Sequence, residues 1–166
     1  MLLFSAPLHS LRKTKVFRRL LKSKLNRPKM YNLGFDHKVA LRPLTHASIR
    51  WSRKRKEPNI HKIIQSVVLL LDEKKDKRCF LDVGANVGIY SWGVHNLCPS
   101  RKIIACEPDP RNFQLLQMTL KHCNPNNITI LPLALSNESR QASFLQDELT
   151  SATGTLEDGT KPWVEL

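Results

Sequence analysis

The clearest alternation of apolar and polar positions begins at residue 79. Cys79-Phe80-Leu81 is a short apolar run leading to Asp82, and Gly84 and Gly88 bracket a tight turn. Ile89 to Leu97 has helical composition and ends at Cys98-Pro99. Lys102-Ile103-Ile104-Ala105-Cys106 then predicts a second buried strand with Glu107 at its carboxyl end. Asp109 suits a helix N-cap and Pro110 a first helical residue. Phe113, Leu116 and Leu120 mark the expected buried face of that helix, which should stop before Cys123-Asn124-Pro125. Ile128 to Leu135 reads as a third strand, with Pro132 favouring an edge or a bulge. Gln141 to Leu145 is a short candidate strand, and from Asp147 onward the chain reads as loop.

Upstream the pattern is weaker. Residues 31–56 alternate poorly, although Lys38-Val39-Ala40-Leu41-Arg42 fits an edge strand. Glu57-Pro58-Asn59 opens a helix in which Ile60, Ile63, Ile64, Val67, Leu70 and Leu71 repeat at helical spacing. That stripe is expected to pack on the sheet and to carry no chemistry. The apolar stretch Ile63–Leu71 is too short to span a bilayer.

Charge divides the chain more sharply than hydropathy does. The 166 residues carry a net charge of +13, yet residues 1–78 hold 21 Lys and Arg against 5 acids. Residues 79–166 hold 6 against 9, so the basicity lies in front of the glycine turn. Residues 1–29 contain nine basic residues and no acid, with Leu11, Phe17, Leu20, Leu21 and Leu25 loosely on one helical face until Pro28. Three readings compete: a solvated basic helix, a segment lying on an anionic membrane surface, and an organelle transit peptide. Arg50-Trp51-Ser52-Arg53-Lys54-Arg55-Lys56 is a soluble basic loop or, as the lesser expectation, a grip on nucleic-acid phosphates.

The cysteines (Cys79, Cys98, Cys106 and Cys123) are too widely spaced for a metal site, so none is expected. They point to structural thiols in a reducing compartment, with a cytoplasmic location as the default and a peripheral-membrane or organelle location as the alternative. Asn127-Ile-Thr129 and Asn137-Glu-Ser139 are read as chance matches to a glycosylation pattern.

Strand, glycine turn, helix, strand and acid is the layout of a nucleoside-binding unit, in which glycines admit the ligand and the acid accepts hydrogen bonds from ribose. A dinucleotide needs three glycines for its pyrophosphate, but Asn86 and Ile89 occupy the second and third positions. Asp82 also puts a carboxylate where phosphates would sit. S-adenosylmethionine carries no phosphate but has a sulfonium and an ammonium, and it fits better. A glycine turn without ligand and a dinucleotide site remain the alternatives.

Phe80-Leu-Asp-Val-Gly-Ala-Asn-Val-Gly88 with Ile89-Tyr90-Ser91 resembles the first motif of the FkbM-type S-adenosylmethionine-dependent methyltransferases. Glu107-Pro108-Asp109-Pro110-Arg111-Asn112-Phe113 resembles their second motif, and Leu133-Ala134-Leu135-Ser136 their third. The resemblance covers roughly residues 79–147. It implies a Rossmann-like class I methyltransferase fold of the α/β class, here a partial parallel sheet flanked by helices. It also implies methylation of a hydroxyl on a sugar, lipid or metabolite. By resemblance, Asp82 meets the cofactor's amino group directly or through water, Gly84 and Gly88 admit its methionine part, and Asn86 either bonds the methionine end or simply tolerates a left-handed turn. Glu107 holds the ribose, and Ala134 stands where many enzymes of this fold place an adenine-binding acid, so the adenine is expected to rest on backbone and apolar contacts such as Pro108. The chain then divides into a basic segment 1–30, a packing strand and helix 31–78, a partial cofactor domain 79–147 and a loop-like tail 148–166.

Methyl transfer runs in line from sulfonium to oxygen, so the protein mainly positions two reactants, a contribution of about 7–11 kcal/mol at best. No general base can be named, because His95 and His122 lie on helices and read as surface or capping residues. The family continues through a fourth strand bearing an Asp-Val-Glu-Gly-like string, and nothing after Leu145 matches it. The expectation is a fragment or truncated methyltransferase with poor activity. Ile103, Ile104, Ile128, Ile130 and Leu131 should then be only partly covered, with an open sheet edge prone to aggregation or dimerisation. The alternative of another class is a non-catalytic cofactor-binding remnant or basic-tailed interaction module.

Overall fold

The computed structural model describes residues 24–52, 58–73, 78–137, 143–146 and 154–157. The chain begins there with an antiparallel hairpin of β1 (Lys29–Asn32) and β2 (Lys38–Leu41). Helices α1 (Ala47–Ser52) and α2 (Pro58–Glu73) follow. The centre is β3 (Phe80–Val83), α3 (Ile89–Leu97), β4 (Ile103–Cys106), α4 (Pro110–Cys123) and β5 (Ile128–Leu131). These three strands form a parallel sheet in the order β3-β4-β5, which makes the protein a mixed α/β structure. A second antiparallel pair, β6 (Ser143–Gln146) and β7 (Gly154–Glu157), closes the described chain.

Register fixes which side chains share a face. Phe80, Ile103 and Ile128 form one row and Asp82, Ala105 and Ile130 the next. This is the helix-covered face, since Asp82 bonds Ser91 of α3 and Ile103, Ala105 and Ile128 join Trp92, Val94, Leu115 and Leu116 in the core. Ile103 and Ile128 are therefore buried, against the expectation that they would be left half covered. The exposed apolar residues lie on the other face at the outer strand, where Leu81 is 48% and Val83 56% accessible. Ile104 and Leu131 on that face are half-buried.

Several expected boundaries shift for identifiable reasons. The third strand ends at Leu131, before Pro132, which has no N–H to continue a ladder. The α4 helix runs one residue further than expected, through Cys123, and Asn124 closes it in the left-handed conformation. Its buried face is Asn112, Leu115, Leu116 and Thr119, while Phe113 and Leu120 are half-buried. Thr119 takes a core position because its hydroxyl accepts from Ala40 N–H of β2 (2.9 Å) and donates to Leu115 C=O (3.1 Å). Of the α2 stripe, Ile64 is buried and Val67 half-buried, whereas Ile63 and Leu70 are exposed. Ile64 fits against Gly93 of α3 so closely that an added Cβ would overlap it, so the partner's glycine sets the facing of α2. The tail expected to be loop contains β7.

No helix among the described residues is long and apolar enough to cross a membrane. Most of the basic segment, residues 1–23, lies outside the described residues, as do 53–56 of the basic cluster.

Candidate cofactor site

The three parallel strands end in one row, Val83, Cys106 and Leu131. Beyond that row stand the glycine turn, Glu107 and the segment holding Ala134. Ligands of open α/β sheets bind at this carboxyl end.

The turn is built from three residues with positive φ in a span of five: Gly84 (70°), Asn86 (56°) and Gly88 (78°). Gly84 N–H and Ala85 N–H both donate to Cys106 C=O at 2.9 Å, tying the turn to the end of β4. Gly88 opens α3 and offers no side chain to cap it. Asp82 does so from the preceding strand: its Oδ2 accepts from Ser91 N–H (3.2 Å) and Ser91 Oγ–H (2.6 Å). A carboxylate there also complements the helix dipole. Asp82 Oδ1 takes part in neither bond.

Glu107 extends the strand ladder, with its N–H donating to Leu131 C=O (3.0 Å). Its side chain then bridges two loops: Oε2 accepts from Asn86 N–H (2.6 Å) and Oε1 from Asp109 N–H (2.8 Å). The residue is only 5% exposed. The Asn112 side chain also hydrogen-bonds the carboxylate, which leaves part of its accepting capacity for a ligand hydroxyl. Asp109 caps α4 by accepting from Arg111 N–H (2.8 Å), and its carboxylate pairs with the Arg111 guanidinium through Nη2 (2.8 Å).

The sequence-derived residues thus fall into two groups. Asp82, Gly84, Asn86, Gly88 and Glu107 are drawn together through the turn, and Pro108, half-buried, follows directly. Ala134 lies in the irregular segment three residues past β5. His95 sits near the carboxyl end of α3 and His122 near that of α4, away from the turns where these helices begin. The His95 ring lies 5.8 Å from that of His37, beside Trp92, and His122 is exposed. Sequence reasoning missed Ser91 and Asn112. Ser91 was readable as a polar residue one turn into an uncapped helix. Among the described residues, no group of three His, Cys, Asp or Glu side chains is placed to hold a metal ion.

Burial raises the pKa of both acids; Ser91 opposes this at Asp82, and the Asp109 and Asn86 N–H groups oppose it at Glu107. The folded chain therefore holds these protons more tightly than the unfolded chain. The stability tied to the two carboxyls increases as pH falls from neutral through their raised values. Asp82→Asn, which cannot titrate, should show its best stability relative to wild type at neutral pH and lose ground as the solution is acidified. Urea unfolding at a series of pH values checks this, and a pH-independent difference would contradict it.

No protein-family model matches the chain, and no curated protein or solved structure gives a match. The functional reading rests on the site.

Proposed function

We propose that this chain is an S-adenosylmethionine-dependent methyltransferase, or a part of one, with a Rossmann-like class I fold resembling the FkbM type. Its reaction is methylation of a hydroxyl on a sugar, lipid or metabolite. One observation carries the reading: Glu107 ties the end of β4 to the glycine turn while Asp82 closes the end of β3, so buried carboxylates border the turn from two strands. Such a border repels phosphates and suits ribose hydroxyls and a cationic amino-acid end.

The space beside the turn supports the same ligand. A Cβ built on Gly84 meets nothing within 4 Å, so a ligand can lie directly on that backbone. Glu107 accepts from the ribose hydroxyls, Asp82 Oδ1 faces the ammonium, and Asn86 bonds the methionine end. Pro108 and Ala134 border the adenine. The cofactor, once bound, supplies the methyl group; the protein's part is to hold it and exclude water.

Calorimetry with S-adenosylhomocysteine tests the reading, with NAD as the competing ligand. Binding of the first and not the second is expected, and preference for NAD would overturn it. A non-catalytic module would bind and not transfer. Labelled methyl transfer over a panel of sugar and lipid hydroxyl acceptors separates the two.

A further inference from the structure

Lys24 and Leu25 are in helical conformation, and the chain turns at Asn26, three residues before β1. The Asn26 side chain then clasps the loop between β2 and α1 through three hydrogen bonds. Its Oδ1 accepts from Leu44 N–H (3.0 Å) and Thr45 N–H (3.2 Å), and its Nδ2–H donates to Thr45 Oγ1 (2.7 Å). The clasp lies at the open end of the β1–β2 hairpin, where Lys29 pairs with Leu41. Each of the two backbone segments it joins carries an exposed leucine, Leu25 at 54% and Leu44 at 49%.

The charge at this end is of one sign. Lys24, Arg27 and Lys29 are exposed beside the clasp, and residues 1–56 hold 16 Lys and Arg against one acid, Asp36. Asp36 sits at the tip of the hairpin, where its N–H donates to Asn96 Oδ1 of α3 (2.7 Å). Strands of this length put roughly 10–13 Å between the tip and the open end. Asp109, whose charge reaches Arg42 just before the loop, is 3% exposed and paired with Arg111. Beyond the clasped loop the sequence runs through α1 into residues 50–56, which add five basic residues and no acid. The clasp thus joins the end of one basic run to the approach to the next.

We infer that the surface held by Asn26, with Leu25 and Leu44 among Lys24, Arg27 and Lys29, is a contact for an anionic lipid surface. One exposed leucine is ordinary on a protein. Two on segments tied together by three hydrogen bonds, with basic and no acidic residues from Lys24 to Lys29, combine the two forces that hold a protein on a bilayer. Leucine side chains enter the boundary between headgroups and acyl chains, and the cations neutralise lipid phosphates and carboxylates. Nucleic acid would answer the same charge, but single strands are held by aromatic stacking and leucine has no ring to stack. None of these residues belongs to the cofactor site.

The test is sedimentation of the full chain with phosphatidylcholine vesicles containing about one-third phosphatidylserine, against vesicles of phosphatidylcholine alone. Binding to the anionic vesicles is expected, weakening at least about tenfold as salt rises from roughly 0.05 to 0.5 M. The double variant Leu25→Ser, Leu44→Ser keeps every charge and alters only exposed positions, so its thermal unfolding should match wild type. Its vesicle affinity should fall about tenfold, the scale of withdrawing two half-exposed leucines from hydrocarbon. Asn26→Ala keeps both leucines and unties the loop, and it should lose binding to a similar degree. Equal binding to neutral vesicles, or a leucine variant that binds like wild type, would overturn the assignment. So would an Asn26→Ala protein with undiminished binding. Tighter binding to single-stranded RNA than to anionic vesicles, unaffected by the leucine changes, would give the surface to nucleic acid instead.

Discussion

Gly88→Val should largely unfold the protein, whereas Gly84→Val should leave it folded and unable to bind its ligand. Both glycines have positive φ, 78° and 70°, where a β-branched residue is strained by about 1–2 kcal/mol. Their surroundings separate them. A Cβ at Gly88 would lie 2.6 Å from both Leu116 Cδ2 and Trp92 Nε1. Neither neighbour can yield cheaply. Leu116 and Trp92 are fully buried, and the indole N–H donates to Val87 C=O at 2.9 Å within the same turn. Overpacking a filled core adds about 1–3 kcal/mol, so the total of roughly 2–5 kcal/mol is a large part of a typical domain's stability. At Gly84 the added side chain meets open space, and only the backbone strain remains. Urea unfolding with parallel S-adenosylhomocysteine calorimetry distinguishes the two. A stable Gly88→Val protein would show the turn to be looser than its contacts imply. A Gly84→Val protein that binds normally would place the ligand elsewhere.

The stretch from β3 to β5 was legible because its punctuation is local. Gly84 and Gly88 are needed where φ is positive, and Asp109-Pro110 starts a helix by hydrogen bonding and a fixed φ. Elements whose identity depends on partners were not legible. Strand β1 spells Lys-Met-Tyr-Asn, too short a run to show a period, and exists through its pairing with β2. Strand β7 is Gly-Thr-Leu-Glu and exists through pairing with β6. The α2 helix is apolar on more than one face, so spacing alone does not say that Ile64 turns inward and Leu70 outward. In α4 the reverse holds: Asn112 and Thr119 look solvent-facing, but both are buried, and the Thr119 hydroxyl is paired inside with Ala40 N–H and Leu115 C=O.

The candidate site divides along the same line. Asp82 and Glu107 could be found by spacing from the glycines. That their carboxyls are buried, and hold Ser91 N–H and the N–H groups of Asn86 and Asp109, required the fold. The expected exposure at Ile103 and Ile128 missed for a related reason. Ile103 and Ile128 share the helix-covered face, whereas Leu81 and Val83 point to the opposite face of edge strand β3 and carry exposed apolar surface. Parallel sheets are ordinarily covered on both faces.

Glu107→Ala should damage folding and ligand binding together, and in separable amounts. Its two oxygens accept from Asn86 N–H and Asp109 N–H, and the truncation leaves both donors without them. A hydrogen bond to a charged group contributes about 1.5–3 kcal/mol. Removing a buried carboxylate also removes its desolvation cost, so a net loss of roughly 2–4 kcal/mol is expected rather than the full sum. Glu107→Gln keeps the volume and one acceptor oxygen, but its amide presents a donor to one of the two N–H groups. It should recover part of the stability. Ligand binding should respond differently, because a ribose hydroxyl paired with a carboxylate loses a charge-assisted bond in both variants. The measurement is calorimetry with S-adenosylhomocysteine at a temperature where circular dichroism shows each variant still folded, alongside urea unfolding. Unfolding curves that match wild type would mean Glu107 does not tie the turn to α4. A folded Glu107→Ala protein with unchanged affinity would remove the ribose acceptor from the site and the methyltransferase reading with it.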